Sequence, residues 1–160
     1  MSSIRRACLC LLMPLGCMNA AEITAADYTD ETQQVIRFKI DGVDKEVAAP
    51  SGNIWDGLIV SKDKKKAFFM MKRGTTKRAW LEGLQRFDAE PAGKSSNPSA
   101  VPLKTDLEEA KILKIHDVSD DGARLLVDLH YAYEKTADRT RYRSYPYFLT
   151  ADGVLTPVKP

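Results

Sequence analysis

Apolar and polar residues alternate along much of the chain, and this two-residue period is typical of strands with one face in a core. Residues 35–40 carry an apolar side chain at every second position, and a second strand-like segment follows at residues 43–48. Between them stands Asp41-Gly42, which supplies the positive φ angles of a tight turn. These segments therefore predict a β-hairpin.

Similar patterns predict further strand pairs along the chain, at residues 67–71 with 78–84, 125–133 with 139–149, and 145–150 with 154–158. The one helix candidate is residues 105–111, because Thr105 and Glu108 have capping-box spacing. Residues 22–34 are polar and predict an irregular lead-in or a frayed helix. Residues 90–102 are rich in proline, serine and glycine and predict a flexible linker.

The two halves of the chain, 35–89 and 103–160, share a repeated pattern. Val-Ser-Lys-Asp at residues 60–63 matches Val-Ser-Asp-Asp at residues 118–121, and an apolar strand follows each. We therefore expect one mostly-β domain of about eight antiparallel strands in two related halves, with at most one short helix. The expected arrangement is a meander, a sandwich or part of a propeller.

The repeat, with Lys66 or Arg124 before each apolar strand, resembles the blade repeats of TolB-like β-propellers. The resemblance implies that Asp63 and Asp121 hold turns and that Ser61 and Ser119 are their backbone partners. Propellers usually need about four or more blades, and this chain has room for two or three, so no binding function is taken from the family.

The first residues predict a secretory signal peptide covering residues 1–21. Two arginines at positions 5–6 precede an apolar run at residues 7–18, and a pair of alanines follows at 20–21. The run is shorter than the roughly 20 apolar residues that a membrane span needs, so no transmembrane span is expected. The expected location is the periplasm or the outside of a bacterial cell.

A second interpretation of the leader is a lipoprotein signal, because Leu15-Gly16-Cys17 is similar to a bacterial lipobox. Cys17 would then be lipidated and would anchor the protein to the outer membrane. All three cysteines, including Cys8 and Cys10, lie in the leader. The mature chain is therefore expected to have no disulfide, no thiol nucleophile and no cysteine-ligated zinc, and no cofactor is predicted.

Charge is balanced after the leader is removed, with 22 basic and 22 acidic residues left. It is unevenly distributed, because residues 22–56 have five more acidic than basic residues and residues 62–94 have six more basic than acidic ones. The 44% hydrophobic content argues against disorder. Because the mature chain is neutral overall, contact with a polyanion is expected only at particular basic segments.

Two pairs of titratable residues are candidates for catalysis. Asp63 and Asp121 could meet across the repeat and share one proton, although the Asp-Thr-Gly signature of aspartic peptidases is missing. Asp128 and His130 are two positions apart on one strand, where the aspartate could orient the imidazole as a base. Either pair would support an alternative function, a secreted hydrolase that acts on peptides or glycans.

Arginine supplies the leading binding candidate. If Tyr133 opposes Thr140, Arg139, Arg141 and Arg143 share one strand face with Asp128, His130 and Glu134. Guanidinium groups about 7 Å apart along a strand suit bidentate capture of carboxylate, sulfate or phosphate. The opposite face would be core and would contain Leu125, Val127, Leu129, Tyr131, Tyr133, Tyr142 and Phe148.

A second basic cluster lies around the turn at residues 73–77 and contains Lys72, Arg73, Lys77 and Arg78. No aromatic residues lie beside these bases to stack nucleotides, so no nucleic acid is expected. The leading hypothesis is an exported binding or assembly module that contacts an anionic glycan, another envelope polymer or an envelope protein.

Overall fold

The computed structural model describes residues 21–91, 94 and 97–159, so the predicted leader and Cys17 lie outside the described residues. Within the described part the chain forms eleven strands and no helix, which confirms the mostly-β fold. The same residues accordingly include no helix with the length and apolar character needed to cross a membrane.

The strands form three antiparallel sheets in which neighbours in the chain pair with each other. The N-terminal sheet contains β1 (Ile23–Tyr28), β2 (Val35–Ile40) and β3 (Val43–Ala48). The central sheet contains β4 (Asn53–Val60), β5 (Lys66–Thr75), β6 (Arg78–Asp88) and β7 (Ser99–Val101). The C-terminal sheet contains β8 (Glu108–Val118), β9 (Arg124–Lys135), β10 (Thr140–Thr150) and β11 (Leu155–Pro157).

The central sheet is covered on both faces because β5 carries four consecutive apolar residues, all of them buried. Successive side chains of a strand point to opposite faces. Ala67 and Phe69 therefore pack toward the N-terminal sheet, and Phe68 and Met70 pack toward the C-terminal sheet. The result is a three-layer stack with two hydrophobic cores.

Aromatic contacts hold the first core together. Phe38 of β2 stacks on Phe87 of β6 with ring centroids 4.2 Å apart, and Trp55 meets Phe69 edge-on at 4.9 Å. In the second core, β9 alternates between buried apolar residues and more exposed ones, which leaves the far face of the C-terminal sheet polar. That sheet is therefore half covered.

The predicted hairpin at residues 35–48 is confirmed. Ile40 pairs with Val43, and the two residues between them have φ angles of +48° and +83°. Such angles suit a primed turn, which is the reason that aspartate and glycine occupy it.

The predicted irregular lead-in at 22–34 is wrong at residues 23–28, because Ile23–Tyr28 is strand β1 and pairs with β2. This strand fully buries Ile23 but otherwise has mixed exposure, so its sequence lacks a clear alternation. Pairing with β2 determines its conformation instead.

The predicted helix at 105–111 is also wrong. The Thr105 hydroxyl does accept the Leu107 amide at 3.1 Å, but the chain then enters β8 and pairs with β9. The predicted linker at 90–102 includes a short strand, since β7 occupies its end and Val101 pairs with Leu84. In each case a neighbouring strand outweighs the local preference.

Candidate functional site

The repeated Ser-x-Asp segments form two turns with the same hydrogen bonds. In the first, Ser61 Oγ donates to Asp63 Oδ1 at 2.6 Å and accepts the Lys66 amide at 3.1 Å. In the second, Ser119 Oγ donates to Asp121 Oδ1 at 2.8 Å and accepts the Arg124 amide at 2.9 Å. The turn roles expected for Asp63 and Asp121 are confirmed.

The two turns, residues 61–66 and 119–124, also contact each other, and we call them the interlocked turns. The Asp63 amide donates to the Asp120 carbonyl at 2.8 Å, and Lys66 Nζ donates to the Asp121 carbonyl at 2.6 Å. An exposed ion pair between Lys62 and Asp120 adds a third contact at 2.7 Å. The contacts join the starts of β5 and β9 at one corner of the molecule.

The carboxylates of the interlocked turns are stabilised as anions. The hydrogen bond from Ser61 lowers the pKa of Asp63, and the pKa of Asp121 is lowered by the Ala123 amide and then by Ser119. A dyad that shares one proton would instead need one raised pKa. Each aspartate is therefore committed to its own turn.

Asp128 and His130 both lie on the outward face of β9 but have different partners. Asp128 Oδ2 is 2.8 Å from His116 Nε2, whereas His130 Nδ1 is 3.1 Å from Ser144 Oγ. The His130 ring also stacks on Tyr142 at 5.1 Å. The Asp128 carboxylate thus contacts His116, and the described residues contain no group of three metal-ligating side chains.

The predicted register of the β9–β10 hairpin is wrong by one residue along most of its length. Thr140 pairs with Lys135 rather than with Tyr133, and Tyr142 pairs with Ala132. Tyr133 is therefore the extra residue of a β-bulge. Because side chains alternate in direction, a one-residue shift moves them to the other face of the sheet.

The bulge changes the predicted core and the predicted arginine face. Arg143 pairs with Tyr131 on the core-facing side, so it is separated from Asp128 and His130. Tyr133 and Tyr142 are exposed, at 49% and 44%. Phe148 is half-buried, whereas the other predicted core residues of this hairpin are buried, namely Leu125, Val127, Leu129 and Tyr131.

The three predicted arginines have different surroundings. Arg139 is exposed in the hairpin turn, and Arg141 pairs with Glu134 at 2.9 Å. Arg143 lies over the rings of Tyr131 and Tyr133, 5.0 and 5.6 Å from their centroids. Among the described residues, no carboxylate lies within ion-pair distance of Arg143.

Arg143, Tyr131 and Tyr133 contribute to a cleft of about 430 Å³, which we call the tyrosine–arginine cleft. Arg143 Nε donates to the Tyr131 hydroxyl at 2.6 Å, and the Tyr147 hydroxyl donates to the same oxygen at 3.5 Å. Burial raises the pKa of Tyr147 to about 12, so this phenol stays protonated. The cleft is also lined by Asp106, Leu107, Glu108, Ala132, Glu134 and Lys135.

The sequence does not predict the contacts between Arg143 and the tyrosines of the tyrosine–arginine cleft, because the assumed register leaves Arg143 on the opposite face from Tyr131 and Tyr133. The available signal was the density of tyrosines beside Arg143, in the segments Tyr-Ala-Tyr at 131–133 and Tyr-Pro-Tyr at 145–147. Tyrosine and arginine together are typical of contact surfaces.

The second basic cluster is partly neutralised. Lys72 forms an ion pair with Asp56 across β4 and β5, and Arg73 pairs with Glu82 at 3.1 Å. Lys77 is exposed in the β5–β6 turn, and the side chain of Arg78 lies outside the described part. This hairpin therefore has a weaker surplus of positive charge than its sequence indicates.

Comparison with known protein families, curated proteins and solved structures found no match to this chain. The resemblance to TolB-like blades therefore stays a prediction.

Proposed function

We propose that this chain is an exported binding or assembly module that recognises single carboxylate-type anions on an envelope polymer or protein. The observation that supports it is the guanidinium of Arg143 in the tyrosine–arginine cleft. Export rests on the predicted leader.

The surroundings of Arg143 hold the guanidinium in place without neutralising it. Its Nε donates to Tyr131, and the two tyrosine rings stabilise the cation by cation–π contact. No described residue hydrogen-bonds either terminal nitrogen, so both remain for a ligand in the fork geometry that matches a carboxylate. Since the Tyr131 oxygen accepts from Arg143 and Tyr147, its own proton is available to the same anion.

The lining of the cleft favours a singly charged group over a doubly charged one. Asp106, Glu108 and Glu134 are among the lining residues, and Lys135 is engaged by Glu108 and Glu109 at 3.7 and 3.3 Å. These carboxylates repel further negative charge at the site. A uronic-acid carboxylate or an acidic side chain therefore fits better than a phosphate group.

The test compares Arg143→Ala with Arg141→Ala. Retention of the mature protein on immobilised polygalacturonate is measured in low salt. A charge-assisted hydrogen bond contributes about 1.5–3 kcal/mol, so Arg143→Ala should weaken binding by about ten- to a hundredfold. Arg141→Ala should weaken binding at most about threefold, because Arg141 already forms an ion pair with Glu134.

Arg143→Lys extends the test, because lysine keeps the positive charge but lacks the forked donors of a guanidinium. We expect this variant to bind more weakly than wild type. Circular dichroism of each variant checks that the sheets are intact. Equal retention of Arg143→Ala and wild type would contradict the proposal, as would a wild-type protein that polygalacturonate does not retain.

A further inference from the structure

The third strand of the C-terminal sheet, β10, is paired along its whole length on one side only. On the β9 side pairing runs from Thr140 to Thr150, whereas β11 pairs with residues 147–149 alone. The last backbone hydrogen bond on the β11 side is that of the Val158 amide, which donates to the Pro146 carbonyl at 3.1 Å, and the Tyr145 hydroxyl donates to the Val158 carbonyl at 2.8 Å. Among the described residues, no strand pairs with residues 140–145 on this side.

Pro146 explains where the short strand ends. Proline has no N–H to continue the ladder beyond its carbonyl. Backbone groups of a strand alternate in direction, so Ser144 and Tyr142 present their N–H and C=O groups on the same side as the Pro146 carbonyl. The open edge of β10 is therefore a row of backbone donors and acceptors.

This edge differs from two other sheet edges in the described structure. The β8 edge has three register irregularities, and the β4 edge has one between Asp56 and Ile59. Such irregularities hinder the addition of another strand. In β10 the only shift arises from the extra residue Tyr133 on β9, so the open segment itself keeps a regular alternation.

The charge of the open segment indicates its partner. Arg139, Arg141 and Arg143 lie within residues 139–146, a segment without any acidic residue. Cβ atoms directly opposite each other on neighbouring strands lie about 5 Å apart, so acidic side chains of an added strand would lie beside this positively charged segment.

We infer that residues 140–145 of β10 pair with an extended acidic segment of another polypeptide, which adds a strand to the C-terminal sheet. This inference goes beyond the proposed function, because the tyrosine–arginine cleft is lined, apart from Arg143, by residues of β9 and the start of β8, whereas the added strand would lie on the other side of β10. The backbone of a polypeptide has N–H and C=O groups at the spacing of those along the edge, so it can hydrogen-bond to all of them. A glycan lacks this regular spacing of donors and acceptors.

The first test uses a capped peptide of alternating glutamate and threonine, about eight residues long, the usual length of a strand. Its binding to the mature protein is measured by fluorescence anisotropy. Two further peptides carry N-methyl groups, one on every glutamate amide and the other on every threonine amide. Backbone amides of successive residues point to opposite sides of a strand, so either the glutamate amides or the threonine amides face β10. The peptide methylated on the amides that face β10 should bind at least about tenfold more weakly, and the other methylated peptide should bind like the parent.

The second test changes the protein. Ser144→Pro removes one N–H from the open edge and should weaken the parent peptide at least about tenfold, whereas Ser144→Ala keeps that N–H and should not. If Ser144→Pro does not fold, the methylated peptides still decide the question.

The outcomes separate this inference from the proposed function. Equal binding of all three peptides would overturn strand addition, and so would Arg143-dependent retention on polygalacturonate without any peptide binding. In both cases carboxylate recognition would stand as long as retention on polygalacturonate depends on Arg143. Equal retention of Arg143→Ala and wild type, together with equal binding of all three peptides, would overturn the two proposals together.

Discussion

The central and C-terminal sheets have the same strand order but different surroundings. Each is a meander of four antiparallel strands that starts its second strand at a Ser-x-Asp turn and ends with a strand of three residues. The central sheet is packed on both faces, and the C-terminal sheet on one. The comparison shows that repeated local sequence determines turns and strand order, whereas the side chains on each face determine the layer that a sheet occupies.

The difference is visible in the second strands. β5 has apolar residues in succession at 67–70, but β9 alternates apolar residues with Asp128 and His130. A polar outward face needs no further layer, so the C-terminal sheet is covered on one face only.

The largest expected effect comes from removing a large side chain from the doubly covered sheet. Phe69→Ala should lower the free energy of unfolding by about 3–5 kcal/mol, because Phe69 is fully buried against Trp55 and Phe38. Phe148→Ala in the C-terminal sheet should cost about 1 kcal/mol, since Phe148 is half-buried under Arg124. Urea unfolding measures both, and similar costs would show that the two sheets are equally covered.

A smaller difference is expected between the two turns. Ser61 is only 2% exposed and Ser119 is half-buried, although their hydrogen bonds are alike. Ser61→Ala leaves buried groups without partners and should cost about 2–3 kcal/mol. Ser119→Ala should cost about 1 kcal/mol, because water can replace the hydroxyl. Equal changes in the urea midpoint would mean that burial does not distinguish the turns.

The smallest effect concerns acid stability. The folded protein lowers the pKa of Asp63 and Asp121, each with an ordinary value of 3.8. Their ionised forms therefore stabilise the fold above about pH 4, and this contribution is lost as the pH falls through the folded values. The double variant Asp63→Asn/Asp121→Asn should lose stability less steeply than wild type as the pH falls below about 4, the ordinary value of an aspartate.

Unfolding midpoints at a series of pH values measure this slope. Asp44→Asn, an exposed residue outside both turns, is the control and should follow wild type. A double variant with the wild-type slope would show that the turn carboxylates do not contribute to acid sensitivity.

Much of the fold could be predicted because its signals are local. Asp41-Gly42 indicates a tight turn, and the repeat at Ser61 and Ser119 indicates two more, which the hydrogen bonds confirm. Strand β1 could not be predicted, because its only fully buried side chain is Ile23 and its pairing depends on β2.

The candidate site could be predicted only in part. The sequence predicts that Arg143 binds an anion, but it places the tyrosine partners of Arg143 on the opposite face of the hairpin. The reason is the bulge at Tyr133, which depends on how β9 packs against its neighbours and has no local sequence signal. A single extra residue thus changed which side chains surround the guanidinium.

The interlocked turns have a mechanical consequence. They join the central and C-terminal sheets at one corner, while the β5–β6 and β9–β10 hairpins end at the opposite extremes of their sheets. The corner therefore ties the two layers together at one end, and the hairpin tips lie at the other end. A ligand beside Arg143 would touch the C-terminal sheet and the segment that leads into it, because the residues that line the cleft belong to these parts of the chain.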